Sequence, residues 1–187
     1  KTTYYKYVNL LKLNRNRPDK KKYETGIRTD RPKRILHMDV TIYRPLDHSR
    51  IYLYFLVDNF SRFILNWKAS LNYSAKITFE NIKEAYEMYG LENVNPHVDI
   101  IADGGTENRA QVEEYINSPG ININKLVAQT DIIFSNSIVE AVNKRIKYDF
   151  LFNENLLDFE QTVQYLVYAV HEYNNKPHSS LYGYTPQ

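Results

Sequence analysis

The segment from Val98 to Lys147 constrains the fold more than any other part of the chain. It opens with a short apolar run, V-D-I-I-A, that ends in Asp103 and is cut off by Gly104 and Gly105. Such a run is typical of a buried strand that delivers a carboxylate to its own end. The sequence therefore predicts an acidic side chain at the edge of a sheet, followed within the same segment by a helix.

The second half of this segment has the periodicity of an amphipathic helix, which we expect over about residues 136–152. At 100° per residue, four apolar side chains share one face and form a predicted core stripe: Val139, Val142, Ile146 and Phe150. The neighbouring face carries one carboxylate, two ammonium groups and two amides: Glu140, Lys144, Lys147, Asn136 and Asn143.

A second acidic residue lies in the middle of a predicted strand over about residues 34–43. Its side chains alternate, so that Asp39 shares a face with His37 and Thr41, opposite an apolar face. A mid-strand aspartate among apolar neighbours is costly unless it is used. The sequence thus provides two aspartates on strands and one glutamate on a helix.

The other patterns predict a chain that alternates between strands and helices. Further strands are expected at about 51–58, 62–70 and 123–128, and further helices at about 75–90, 108–117 and 159–174. The strand at 51–58 is nearly all apolar, which indicates burial on both faces. The last helix has a predicted core stripe of Phe159, Val163, Leu166, Val167 and Val170. Residues 129–135 are expected to form the loop before the Glu140 helix.

Composition limits the class of protein. The absence of cysteine excludes disulfides and thiolate metal sites, so a bound metal would be a hard cation on oxygen ligands. No apolar run approaches the roughly 20 residues that cross a bilayer, so we expect a soluble intracellular protein without a membrane partner. Because the chain begins with Lys1, we expect it to be a fragment of a longer protein.

The small net charge of +2 hides an uneven distribution. Residues 1–34 hold 12 Lys and Arg against 3 Asp and Glu, a balance of +9, and the rest of the chain has a balance of −7. We therefore divide the chain into a basic arm or linker, 1–33, and one core domain, 34–187. Basic arms commonly neutralise nucleic-acid phosphates, although a solvated linker is the alternative.

Three carboxylates at the converging ends of two strands and a helix suit Mg²⁺ or Mn²⁺. Each residue alone also has a structural explanation. Asp103 could form the turn with the glycines, and Glu140 could pair with Lys144 one helical turn away. Asp39 is the hardest to explain without a ligand.

Five motifs in order resemble the catalytic core of the DDE transposases and retroviral integrases, in the ribonuclease H-like superfamily. The motifs cover roughly residues 34–187 and are H-M-D at 37–39, V-D-N-F-S-R-F at 57–63, D-G-G-T-E-N at 103–108, N-S-I-V-E-A-V-N-K-R-I-K at 136–147 and Y-N-N-K-P-H-S-S-L at 173–181. The transposases of bacterial insertion sequences resemble the chain most. The resemblance implies an α/β, ribonuclease H-like fold, with a mixed five-stranded sheet flanked by helices.

The resemblance also implies roles and partners. Asp39, Asp103 and Glu140 would be both catalytic and metal-binding, holding two Mg²⁺ (or Mn²⁺) ions that direct water and then a DNA 3′-hydroxyl onto a phosphodiester. Five further residues would contact DNA: Lys144, Lys147, Asn136, Lys176 and His178. The implied partners are transposon ends, target DNA and further copies of the chain, as a dimer or higher oligomer. The implied setting is the bacterial cytoplasm, at the nucleoid when DNA is bound.

Several of these residues have structural alternatives. Lys144 and Lys147 could lie on a solvated helix face, Asn136 could be an N-cap, and His178 beside Pro177 could fix a turn. For Asp58 we favour a local ion pair with Arg62 over a role as a fourth acidic site residue. For His37 and His97, we expect solvent exposure rather than a place in the site.

Three functions are compatible with these patterns. The first is a DDE transposase or integrase domain that cuts and joins DNA. The second is a ribonuclease H-like nuclease that only hydrolyses. The third is an inactive DNA-binding module that keeps the fold. The filled acidic positions disfavour the third, and the lysines, the 173–181 motif and the basic arm favour the first over the second.

Overall fold

A computed structural model of the protein describes residues 2–11, 27–103, 111–128 and 136–187. Three expectations lie outside the described residues. They concern the basic connector at 12–26, the glycine turn after Asp103 and the loop at 129–135. The last part of the predicted arm is described and contacts the core, because the Lys33 backbone N–H donates to the Asp58 carboxylate at 2.8 Å.

Five α-helices and five strands are present in the described ranges, and all except α1 lie close to predicted bounds. They are α1 (Thr2–Leu10), β1 (Ile35–Tyr43), β2 (Ile51–Asp58), β3 (Ile64–Ser70), α2 (Ala75–Met88), β4 (Val98–Ala102), α3 (Gln111–Ile116), β5 (Ile123–Val127), α4 (Ser137–Arg145) and α5 (Phe159–Asn175). None of the helices in those ranges is long and apolar enough to cross a membrane.

The strands form one mixed sheet in the order β3-β2-β1-β4-β5. β1, β2 and β3 are antiparallel neighbours, as expected for strands joined by short turns. β4 and β5 reach the sheet through helical crossovers and are parallel to β1 and to each other. The prediction of an α/β fold with a mixed five-stranded sheet flanked by helices is confirmed.

The sheet separates two apolar cores, and β2 contributes to both. Leu53, Phe55 and Val57 pack against α4 and α5 on one face. Tyr54 and Leu56 face the other side, where α2 closes the second core. The unbroken apolar sequence of β2 follows from this burial on both faces.

The helix predicted at 136–152 is present but changes its hydrogen-bonding pattern along its length. α4 continues from Ile146 to Phe150 as a π-helical turn and then as a short 3₁₀ turn, Leu151–Asn153. The predicted core stripe is confirmed, since Val139 and Ile146 are fully buried in the α4 and α5 core together with Val142 and Phe150.

The predicted stripe of α5 is wrong at one position. Val167 is 61% exposed, whereas Leu166 and Ala169 are fully buried. The buried stripe is centred on Leu166, and Val167 lies 100° around the helix from it, on the solvent side. Asp158 is the N-cap of α5, because its carboxylate accepts from the Gln161 backbone N–H at 2.9 Å.

The end of α5 is fixed to β3 by one buried amide, which provides a test of the fold. The Asn174 Oδ1 accepts from the Ile64 N–H at 2.9 Å, and its Nδ2 donates to the Ile64 carbonyl at 3.1 Å. We expect Asn174→Ala to lower the free energy of unfolding by about 2 kcal/mol, because it leaves buried backbone groups unpaired. Urea denaturation measures this change.

The neighbouring Asn175 is the matched control, because its side chain is exposed and, among the described residues, donates a hydrogen bond only within its own helix, to the His171 carbonyl. We expect Asn175→Ala to change the free energy of unfolding by less than about 0.5 kcal/mol. Equal effects of the two substitutions would contradict the role assigned to Asn174.

Candidate active site

The parallel register of β1 and β4 brings two of the three predicted acidic residues together. The last paired positions are Met38 and Ala102, so the next residue on each strand is Asp39 and Asp103. Neighbouring strands lie about 4.8 Å apart. The alternation of side chains places both aspartates on the sheet face covered by α4, since Met38 and Ala102 belong to the core on the opposite face.

Two amides of α4 bind β1 directly. The Asn136 Nδ2 donates to the Met38 carbonyl at 2.9 Å, and the Asn143 Nδ2 donates to Asp39 Oδ2 at 2.6 Å. At 100° per residue, Asn136, Glu140 and Asn143 fall within a stripe about 60° wide. Glu140 therefore lies on the side of α4 that faces β1, between two residues that contact the strand beside Asp39.

The three carboxylates are not gathered into a compact cluster. Among the described residues, no group of three His, Asp or Glu side chains is close enough to hold a metal ion. Asp39 is half-buried, whereas Asp103 and Glu140 are exposed. The structure thus makes Asp39 and Asp103 neighbours. The side of α4 that carries Glu140 faces β1. The metal site with three ligands stays a prediction.

The donor chemistry around Asp39 nevertheless fits a hard divalent cation. The nearby side chains offer carboxylate oxygens, which Mg²⁺ and Mn²⁺ prefer. Asn143 adds a buried amide oxygen, Oδ1, that has no hydrogen-bond partner in the part of the chain that the structure describes. A buried oxygen without a donor beside a carboxylate is the environment that a cation or its water would satisfy.

The predicted cationic residues occupy different environments. Lys147 is half-buried on the Glu140 stripe, where burial lowers its pKa and the charge of Asp39 opposes that lowering. Lys144 is exposed and forms no ion pair with Glu140. Lys176 is also exposed, at the C-cap of α5. Lys147 is therefore the lysine that the structure places near the carboxylates, and the DNA contacts of all three stay predictions.

His37 is buried, so the expectation of a solvent-exposed histidine is wrong. It is 2% exposed, and its Nδ1 lies 2.7 Å from Asn136 Oδ1, while its Nε2 lies 2.8 Å from Asn59 Nδ2. An amide oxygen only accepts and an amide nitrogen only donates, so the network assigns the proton to Nδ1. Burial lowers the pKa of His37 to about 4, which keeps the ring neutral.

The same network connects the end of the basic arm with the start of α4. The Asn59 Nδ2 also donates to the Ile27 carbonyl at 3.0 Å, and its Oδ1 accepts from the Thr29 N–H at 3.1 Å. Asn136 occupies the N-cap position of α4, but its side chain makes no capping hydrogen bond. The sequence analysis did not predict this role of Asn59. The one feature of the sequence that could have indicated it is its position within the motif V-D-N-F-S-R-F.

Asp58 has a structural role, but the expected ion pair with Arg62 is not formed. Its buried carboxylate accepts from the backbone N–H groups of Lys33 and Ser61, at 2.8 and 2.7 Å, and from the Ser61 hydroxyl at 2.7 Å. In the described ranges no carboxylate lies within 4 Å of the Arg62 guanidinium. Backbone N–H groups and the Ser61 hydroxyl, rather than the Arg62 guanidinium, donate to the Asp58 carboxylate.

The remaining predicted histidines lie away from the two aspartates. His178 is 3% exposed, and its Nε2 lies 3.0 Å from the Tyr173 carbonyl, to which it donates. This contact fixes the turn after α5, and a DNA contact by His178 stays a prediction. His97 is partly exposed, precedes β4 and lies 3.1 Å from Asp99, at the end of the strand opposite Asp103.

Solved structures that match this fold include integrase catalytic cores. The HTLV-2 integrase catalytic core domain, solved with magnesium in a dimeric form, matches at 23% identity and a TM-score of 0.59, over 83% of this chain and 94% of that one. The catalytic core domain of BIV integrase matches at 16% identity and a TM-score of 0.56, over 82% of this chain and 91% of that one. A chain of a simian T-cell lymphotropic virus intasome matches at 18% identity and a TM-score of 0.63, over 84% of this chain and 54% of that one.

A mixed five-stranded sheet of this order, flanked by helices, is a ribonuclease H-like fold. The family model of the integrase core domain matches residues 29–136. The chain therefore belongs to the integrase core domain family, and the prediction of a transposase or integrase catalytic domain is confirmed at that level. No curated protein matches the chain.

The buried His37 network predicts a stability effect that exposed histidines lack. We expect His37→Ala to lower the free energy of unfolding by about 3 kcal/mol, because the Asn136 oxygen and one Asn59 N–H lose their partner inside the protein. His171→Ala, on the exposed side of α5, should change it by less than about 0.5 kcal/mol. Urea denaturation of both variants at pH 7 measures the difference, and equal stabilities would contradict the assigned network.

Proposed function

We propose that this chain is the catalytic domain of a DNA transposase or integrase that cuts and joins DNA with divalent metal ions. The observation that carries the proposal is the register that makes Asp39 and Asp103 neighbours beneath α4, on whose facing stripe Glu140 lies. Family membership supports the reaction class, and the donor chemistry supports Mg²⁺ or Mn²⁺. The ligands would be Asp39, Asp103 and Glu140.

Two such ions, when bound, supply activation of the attacking hydroxyl and stabilisation of the leaving oxygen. The chain's own residues prepare the site for that chemistry. Asn143 donates to Asp39 and so orients that carboxylate. Asn136 and His37 fix the start of α4 against β1, which sets the position of Glu140. Lys147 places a positive charge near Asp39 for an incoming phosphate.

The expected partners are DNA and further copies of the chain. Among the similar structures, one is an intasome and two HTLV-2 integrase cores were solved in dimeric and trimeric forms. For this chain we propose binding to transposon ends and target DNA as a dimer or higher oligomer. The setting that we propose is the bacterial cytoplasm, where the chain would associate with the nucleoid on DNA.

The decisive experiment compares glutamates at matched helix positions. Glu140 and Glu160 are both exposed in the first turn of their helices. We expect Glu140→Gln to reduce strand transfer at least 100-fold, because one metal-ligand charge is lost, and Glu160→Gln to leave it unchanged. The assay joins a labelled duplex with a free 3′-hydroxyl, taken from the DNA flanking the coding sequence, to a plasmid in Mg²⁺ or Mn²⁺.

The products of this assay also separate the alternative functions. Joined products that require the 3′-hydroxyl support the transposase or integrase. Metal-dependent nicks without joining support a nuclease that only hydrolyses. DNA binding without any product, in either metal, supports an inactive module. Full activity of Glu140→Gln would overturn the assignment of the metal ligands.

A second prediction concerns the lysine beside the carboxylates. We expect Lys147→Ala to weaken DNA binding about tenfold and to reduce the slope of log affinity against log salt concentration by about 1, because one phosphate contact is lost. Lys83→Ala, on the solvent side of α2, is the control and should change neither quantity. Fluorescence anisotropy across a series of salt concentrations measures both, and equal effects would exclude a specific contact by Lys147.

A further inference from the structure

Arg62 lies on a wall shared by three neighbouring cavities. The largest, about 470 Å³, lies between the turn after β2 and the segment that follows α5. The second, about 380 Å³, lies between α4 and that same segment. The third, about 140 Å³, lies beneath the start of α4. One arginine therefore lines three separate cavities, none of which is lined by the proposed catalytic residues.

The backbone holds Arg62 firmly in this position. Its N–H donates to the Asp58 carbonyl at 3.0 Å, and its carbonyl accepts from the Tyr173 hydroxyl at 3.2 Å. The guanidinium donates to the Asn59 carbonyl. The φ of Arg62 is +65°, in the left-handed region. Its side chain therefore leaves the backbone in a different direction from that of a residue in an extended strand.

Arg62 forms no ion pair in the part of the chain that the structure describes, although the charge of Asp58 acts on it from a longer distance. The side chain is half-buried, and burial together with the neighbouring positive charge of Arg28 lowers its pKa. No described carboxylate is within 4 Å of it. The half-buried guanidinium of Arg62 thus lies within electrostatic range of a second, exposed cation, Arg28, and a bound anion would stabilise this arrangement.

The walls of the three cavities favour an anion. Among the described lining residues there is no Asp or Glu. Arg28 lines the largest and the smallest cavity, and Arg145 lines the second. The planar donors of arginine match the oxygens of a phosphate group.

The smallest cavity lies close to the acidic pair. It is lined by His37 and Ile101, which are directly paired in the sheet two residues before Asp39 and Asp103 and on the same face. Two strand residues span about 7 Å. Each DNA strand carries a phosphate about every 3.4 Å along the duplex axis, so a phosphate at Arg62 is within a few nucleotides of one at the carboxylates.

The largest cavity adds aromatic surface beside the arginines. Tyr182 is 94% exposed, and Tyr184 and Phe60 are also exposed. Backbone hydrogen bonds hold the loop that carries the tyrosines, from His178 N to Tyr184 O and from Gly183 N to His178 O. Exposed aromatic rings beside cations are a stacking platform for bases of a single strand, whereas the bases of a duplex are already stacked.

We propose that Arg62 and Arg28 bind the phosphate of an unpaired nucleotide in the DNA strand leaving the acidic pair, and that its base stacks on Phe60, Tyr182 or Tyr184. The ligand class is thus single-stranded DNA at the edge of the catalytic site. This inference rests on the proposed function, because it needs DNA as the substrate. It adds a binding site for a nucleotide that is not itself cut.

The first test measures binding in EDTA, so that the metal site does not contribute. The probes are a blunt labelled duplex and the same duplex with a three-nucleotide single-stranded extension. We expect Arg62→Gln and Arg28→Gln each to weaken binding of the extended duplex about tenfold and to lower its salt slope by about 1. The blunt duplex should bind almost as before. Arg50→Gln, exposed and outside all three cavities, is the matched control.

The second test identifies the atoms that are recognised. A neutral methylphosphonate placed in the extension should weaken binding to the wild type but not to Arg62→Gln, because the two changes remove the same contact. Abasic extension nucleotides should weaken binding to the wild type and have little effect on Tyr184→Ala combined with Tyr182→Ala. Urea denaturation confirms that the variants are folded, and Arg28, being exposed, keeps the test valid if Arg62→Gln is unstable.

The outcomes separate this inference from the proposed function. If the wild type binds the extended duplex and the Arg28 and Arg62 variants bind it equally well, the nucleotide site is overturned while the proposed function stands. An equal loss with Arg50→Gln also overturns the site, since the effect would then be one of overall charge. If the wild type binds neither probe, both proposals are overturned.

Discussion

The parallel pairing of β1 with β4 is the constraint on which the rest of the site depends. A shift of one residue would move every side chain of β1 to the other face, and Asp39 would enter the core that now holds Leu36 and Met38. The two apolar faces of β2, packed between separate cores, keep β1 from sliding. The position of the carboxylates is thus decided by apolar packing several ångströms away from them.

The covering helix is placed by amides rather than by charges. Asn136 and Asn143 reach β1 at two points about two turns apart, and neutral His37 supports the first of them. Buried amide networks are stable only when their members are paired. The network is neutral, and its Asn143 amide donates to the Asp39 carboxylate at 2.6 Å, so an amide helps to orient that carboxylate.

The sequence predicted what is encoded locally and missed what depends on partners far along the chain. The strands and the stripe from Val139 to Phe150 followed from periodicity alone. The burial of His37 did not, because its partners Asn59 and Asn136 are 22 and 99 residues away. Val167 was misplaced because the adjacent Leu166 and Val167 fit a helical stripe about equally well from the sequence alone, and only packing decides which of them is buried. Asp39 and Asp103 were predicted to converge from their places on two strands, and the parallel register makes them neighbours, whereas their role as metal ligands stays a prediction.

Electrostatics explains why local cations matter to a DNA-processing core of this kind. Residues 35–187 carry a balance of −7, so the core as a whole repels a polyanion, and the repulsion is strongest beside the carboxylates. Under the proposed function, DNA must be attracted by the basic arm and then held by cations near the site. The arm joins the core through Ile27 and Thr29, at the same Asn59 that contacts His37. Arg28 and Arg62 stand at this junction, where a strand guided by the arm would first meet the catalytic face.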